Sequence, residues 1–238
     1  MTRTTRTALL LAAALLPAAR ASAAQTIPSP YRYVETTQSV GAFAGYLWAE
    51  RSVSITDSTS VGLGPASAPV AGIRYQLRAT GPLSVDASLA VSPSERRIIK
   101  AAFVDDSSRV EGQDLGLTVP STIVMADLGL RFNLTGPRTW RGLAPFVAGS
   151  AGLVADVRGT FDEEAELEED ERFRFGPSLA VGAALGTDWF PTPSLSLRLE
   201  GQGRLWRMST PTGFSLTRGE RSEWNPVAGI TLGGAIHF

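Results

Sequence analysis

From Ser39 to Phe238 the apolar residues of this chain fall repeatedly on one parity, and a period of two admits only strands with two unlike faces. The clearest run sets Leu83, Val85, Ala87, Leu89 and Val91 against Ser84, Asp86, Ser88 and Ala90. Just before it, Ile73, Tyr75 and Leu77 alternate with Arg74, Gln76 and Arg78, and Thr80-Gly81-Pro82 joins the two runs as a tight turn. Further on, Leu128, Leu130 and Phe132 alternate with Asp127, Gly129 and Arg131, and Leu195, Leu197 and Leu199 with Arg198 and Glu200. Eight such segments can be drawn. Each is about 10 to 15 residues long, well beyond the usual five or six. A tilted crossing of a bilayer needs about 9 to 11. Only the first segment, from Ser39 to Glu50, leaves its facing open, because Gly41, Phe43, Gly45 and Leu47 compete with Val40, Ala42, Ala44, Tyr46 and Trp48.

Alternation alone does not say which face is inside; the links do. Those after the second, fourth and sixth segments are short (80–82, 135–142, 191–194), and those after the first, third, fifth and seventh are long (51–64, 92–120, 158–172, 209–222). Such sorting suits a membrane barrel with short turns on one side and long loops on the other. Aromatic residues extend the argument: Phe132, Trp189 and Phe238 fall near the short-turn rim, and Trp48, Phe173, Phe175 and Trp224 near the long-loop rim, as two interfacial belts would. Trp206 breaks this scheme by falling on the inner parity. The expected fold is all-β: an eight-stranded antiparallel up-and-down transmembrane β-barrel over 39–238, with short periplasmic turns and long extracellular loops.

Residues 1–24 read as a cleaved signal peptide: Arg3 and Arg6, an apolar run from Ala8 to Leu16, then Ala21-Ser22-Ala23-Ala24. The apolar run is too short for the roughly 20 residues of a membrane helix. Residues 25–38 read as a short periplasmic lead. If the mature chain enters a bilayer, closed strands must carry it, because open sheet edges cannot sit in lipid. Without Arg3, Arg6 and Arg20, 19 basic residues face 23 acidic ones, a net charge near −4, which argues against nucleic acid. The absence of Cys excludes disulfides, thiolate metal sites and Cys nucleophiles.

The final residues, Thr231-Leu232-Gly233-Gly234-Ala235-Ile236-His237-Phe238, resemble the terminal-strand signal read by the outer-membrane assembly machinery. Thr231, Gly233, Ile236 and Phe238 carry the likeness, with Ile236 where an aromatic is often found. With the leader, the eight segments and the sorted links, the chain resembles the small OmpA/OmpX-type outer-membrane β-barrels, a porin-like β-barrel domain. The resemblance implies residence in the outer membrane of a double-membraned bacterium.

An eight-stranded barrel leaves an interior that side chains can fill. The expected inner set holds Arg74, Arg78, Asp86, Asp127, Arg131, Asp156, Arg174, Asp188, Arg198, Glu200 and Arg204. These would form a structural network of ion pairs, since an unpaired charge there would cost several kcal/mol. The function expected is a structural or surface-interaction role. A narrow channel for small solutes is the alternative, and a secreted soluble ligand-binding barrel comes third. No catalytic residues are expected: the only His, His237, stands at the turn end, so a Ser nucleophile elsewhere would lack a base. No cofactor or His-based metal site is expected. The acidic stretch 162–171 reads as a solvated tip, or as loose capture of divalent cations or a basic partner. Arg96, Arg97 and Lys100 in 92–120 could meet lipopolysaccharide phosphates, or that segment simply extends the strands above the membrane.

Overall fold

Strands β1 (Gln38–Ala49), β2 (Ala68–Arg78), β3 (Leu83–Val104), β4 (Arg109–Asn133), β5 (Leu143–Asp156), β6 (Ser178–Thr192), β7 (Leu195–Thr210) and β8 (Arg221–His237) embody the alternation. The computed structural model describes residues 29–49, 53–56, 59–104, 109–158, 161–164, 167–214 and 221–238, so the leader and the start of the lead lie outside the described residues. Each strand pairs antiparallel with its neighbours in sequence. β8 then pairs back onto β1, from Val227 opposite Ala49 to His237 opposite Ser39, and closes the sheet.

The register fixes the size of the barrel. Cross-strand partners lead from Ala49 through Val227, Arg204, Gly182, Ser150, Gly129, Asp86 and Gln76 to Ser39, ten residues from the start on the same strand. An even stagger is obligatory, because an odd one would bring an inward residue round to an outward position. A stagger of that size over eight strands implies a tilt of about 40° and a radius of about 8 Å.

The faces are sorted with the apolar set outward. Leu128, Leu185 and Leu232 are 66%, 69% and 63% exposed, whereas Ser84, Arg131, Asp188 and Ser196 on the opposite parity are buried. The first strand follows suit: Ser39 and Leu47 are buried inside while Val40, Tyr46 and Trp48 face out. Phe132, Trp189 and Phe238 at the turn end, and Trp48 and Trp224 at the loop end, point outward.

One expectation needs correction and one pair of alternatives is decided. Phe173 and Phe175 are not rim aromatics: they precede β6 and are buried among inward residues. The stretch 92–120 is mostly not loop, since β3 and β4 run on past the wall as a two-stranded ribbon with a register shift between Arg97 and Ile99. The alternation that continues through both arms explains it. Ile98 and Val119 turn inward and are covered by Leu167 and Phe161 of the link 157–177. The first link holds a small hairpin, Val53–Thr56 with Thr59–Val61. At the turn end a three-residue strand, Tyr31–Tyr33, pairs with Arg138–Trp140 in the β4–β5 connection.

Candidate functional site

The lumen is filled in two tiers. The lower and middle tier is ionic. Arg131 donates from Nη2 to Asp188 Oδ2 at 2.6 Å, and Arg198 donates from Nε to Asp188 Oδ1 at 2.7 Å, so one carboxylate seats two guanidinium groups. Both also donate to Gln76 Oε1, and Arg131 donates to Asn133 Oδ1. Asp86 stands 3.8 Å from Arg198. Higher in the lumen, Arg74 forms a two-bond fork with Glu200 at 2.8 Å on each arm, and Arg204 meets Asp127 at 2.8 Å. Four guanidinium groups thus face four carboxylates. Charge-assisted, partly two-bond pairing is how such groups are accommodated out of water.

Aromatic rings space the lattice. The Arg131 guanidinium lies 3.8 Å from the centroid of Phe146, and Arg198 approaches the same ring at 5.1 Å. Arg74 sits 5.1 Å from the centroid of Phe43. Each ring can lie against the wall only because a glycine faces it. A Cβ on Gly186 would fall 2.8 Å from Phe146 Cζ, and one on Gly72 would fall 2.6 Å from Phe43 Cζ. The glycines therefore shape seats for rings whose other faces carry arginine.

The upper tier is apolar. Leu47, Val70, Met125, Val154, Trp206 and Met208 point inward from the loop-end halves of their strands, and Phe173, Phe175 and Phe214 from the fifth-to-sixth and seventh-to-eighth links pack down on them. Phe175 and Trp206 stack with centroids 6.0 Å apart. Above this plug, the link 157–177 is tied to the ribbon. Glu164, 1% exposed, pairs with the buried Arg96. Glu171 accepts from the backbone N–H of Ala101 at 3.2 Å, and Gly213 N–H donates to the carbonyl of Asp170 at 2.8 Å.

Eight of the eleven residues expected in the lumen network come together as described. Three do not. Arg78, at the turn end, donates at 2.6 Å to the carbonyl of Val34. Asp156, at the top of β5, accepts from Ser121 Oγ at 2.7 Å and from the backbone N–H groups of Thr122 and Arg158. Arg174 lies outside the strand that was to point it inward, and forms an exposed pair with Glu169. Arg96 is buried on the ribbon's inner face, paired with Glu164 and 4.0 Å from Asp156, whereas Arg97 and Lys100 are exposed. The acidic link is less solvated than its composition implied: Glu164 and Glu171 are buried, and among the described residues no three acidic side chains converge as metal ligands.

Sequence reasoning missed Gln76, Asn133, Phe43 and Phe146, all on the inner parity of their strands, and missed the apolar tier altogether. The signal was present. Leu47, Met125, Trp206 and Met208 are large apolar residues at inner positions, all toward the loop ends of their strands.

The turn-end mouth is closed by the segment before β1. It leaves Gln38, crosses beneath the lumen to reach the β4–β5 turn on the far wall, and is held by Arg78 and by the bond from Val34 N–H to the Pro137 carbonyl. His237 and Ser196 lie at this end, with Nε2 and Oγ 2.7 Å apart and Ser196 wholly enclosed. The spaces described within the lumen are small, about 40 Å³ at mid-height by Arg74, Asp127 and Glu200 and about 30 Å³ above the segment before β1, while a larger one of about 240 Å³ lies at the loop end between Arg96, Arg158, Glu164 and Phe175. The two in the lumen hold a few waters at most. Of Thr231, Gly233, Ile236 and Phe238 in the terminal strand, Thr231 is buried on the inner face while Ile236 and Phe238 are exposed on the outer one.

No protein-family model matches the sequence, and no curated protein matches it significantly. Solved structures do match. Neisserial surface protein A superposes with a TM-score of 0.50 at 12% identity, over 84% of this chain and 97% of that one. The outer membrane protein OprG from Pseudomonas aeruginosa superposes with a TM-score of 0.50 at 10% identity, over 88% of this chain and 99% of that one. The chain has the fold of the small eight-stranded outer-membrane β-barrels.

Proposed function

We propose that the protein is an anchored barrel of the outer membrane, exported by a cleaved leader, with a structural or surface-interaction role and a lumen that does not conduct. The observation that carries the reading is the two-tier filling: a charge-balanced lattice below and an apolar plug of Trp206, Met208, Phe175 and Phe214 above it. Apolar side chains at a mouth exclude hydrated ions, and most of the charged groups below are held by one another in short ion pairs. The outward apolar band supports the membrane placement, because soluble proteins rarely expose continuous apolar surface on that scale. It weighs against the secreted soluble alternative. The enclosed Ser196 beside His237 supports a non-catalytic reading, since a nucleophile out of reach of substrate does nothing.

The surface role falls to the loop end, where the β3–β4 ribbon stands above the wall with the link 157–177 folded against it. Divalent cations or a basic partner at 162–171 belong to this reading, through Asp162, Glu168, Glu169 and Asp170, which remain exposed. Purified barrel in a planar bilayer is expected to show no unitary conductance. Steady single-channel currents from the unaltered chain would overturn the closed-lumen reading in favour of the narrow channel. Recovery of the exported chain in the soluble fraction would overturn the membrane reading itself.

A further inference from the structure

The small sheet at the turn end puts rings and cations together on one face. Tyr31 is opposite Trp140 and Tyr33 opposite Arg138, and directly opposed residues share a face. Trp140 is in turn opposite Leu143, whose parity on β5 is that of the outward Val147 and not of the lumen-facing Phe146. The face carrying Tyr31, Tyr33, Trp140 and Arg138 therefore continues the outer wall below Phe132 and Leu134. Tyr31, Tyr33 and Trp140 are 49%, 62% and 43% exposed.

The cations on this face are held, not trailing. Arg138 donates from Nη2 to Tyr33 Oη at 2.9 Å, with its guanidinium 4.6 Å from that ring's centroid. Arg141 lies 5.2 Å from the Trp140 ring centroid. It is the one described non-glycine residue at positive φ (51°), directly before Gly142 at 83°. Glycine would adopt that conformation more easily, so the turn retains a strained arginine where its side chain covers the tryptophan. Neither short strand, nor the Arg141-Gly142 turn, contains an acidic residue.

We infer that Tyr31, Tyr33, Arg138, Trp140 and Arg141 form a binding site for the headgroup of an anionic phospholipid in the periplasmic leaflet. The inference rests on the membrane reading above. The rings sit at the depth where amphipathic aromatics meet headgroups, and two guanidinium groups stacked on rings present their N–H edges to a phosphodiester. The strand Tyr31–Tyr33 completes the site by supplying two of its three rings.

The test is quenching of Trp140 fluorescence, taken as the difference between the chain and its Trp140→Phe variant, in vesicles of brominated phosphatidylglycerol or brominated phosphatidylcholine. Folding of each variant is verified by its heat-modifiable gel mobility. Phosphatidylglycerol is expected to be favoured at this site, by about fivefold for each arginine. The Arg138→Gln, Arg141→Gln double variant should lose that preference while Trp140 remains quenched. Equal quenching by the two lipids would overturn the site and leave only an aromatic belt. Quenching of the outward Trp48, Trp189 and Trp224 without quenching of Trp140 would also overturn it, and would give this face to a partner in the aqueous periplasm. Absence of quenching at all four would instead remove the membrane reading on which the site depends.

Discussion

Asp188 shows how a single residue organises this interior. Its two oxygens bind Arg131 and Arg198, so Asp188→Ala would leave Arg131 without a carboxylate partner and Arg198 with only Asp86, 3.8 Å away, beside the neutral Gln76 and Asn133. Breaking a buried pair from one side costs about 3–5 kcal/mol, and a loss of at least that size is expected in the urea unfolding midpoint of the barrel in lipid. Gly186 is the other kind of interior residue, contributing by what it lacks. Gly186→Val should displace the Phe146 ring from its seat and loosen both arginines stacked on it; overpacking of this kind costs about 1–3 kcal/mol. On the opposite face, Leu128→Arg should destabilise the barrel by about 2–4 kcal/mol if the side chain meets mid-bilayer lipid, and an unchanged unfolding midpoint would contradict the facing.

Among the elements, the link 157–177 and the ribbon stand or fall together. Glu164→Ala would leave the buried Arg96 with only Asp156, 4.0 Å away, and Glu171→Ala would remove the acceptor for Ala101 N–H. The paired variant is expected to become cleavable by protease within this link while the wall stays resistant. The strands themselves were legible in the sequence because a two-residue period extends along each of them and tolerates few errors. The link was not legible. Its density of carboxylates suggests repulsion and solvation, and nothing local reveals that Arg96, far away in sequence, descends from a ribbon to neutralise Glu164. Phe173 and Phe175 misled for a related reason: two apolar residues at alternate positions look like the start of a strand, yet here they are the stopper in its mouth. Arg174 went astray with them. Position along a strand, as well as parity, separates the ionic tier from the apolar one, and reading both together would have assigned Trp206 and Met208 correctly.

At the scale of the whole barrel, Tyr31–Phe238, the lumen is filled by two different chemistries, and each makes its own prediction. Trp206→Ala with Phe214→Ala should thin the apolar plug without touching an ion pair, and any gain in conductance should then be small, because the lattice below still blocks the path. Adding Asp188→Ala should be needed to open a measurable pore in a planar bilayer. If the plug variant alone conducts freely, the ionic tier is no barrier.

The strap under the lumen has a further consequence for the path of the chain. Gln38 and Phe238 exchange backbone bonds of 3.0 and 2.9 Å across the seam, so the wall's first and last residues are already neighbours. A circular permutant that joins Phe238 to Gln38 through a two-residue glycine-containing turn and opens the chain at Gly81 would keep the wall pairings while cutting the floor out of the covalent circuit. Supplied separately as a peptide, residues 29–37 would then act as a removable bung, and the cylinder's lower end would become something that can be corked and uncorked by titration.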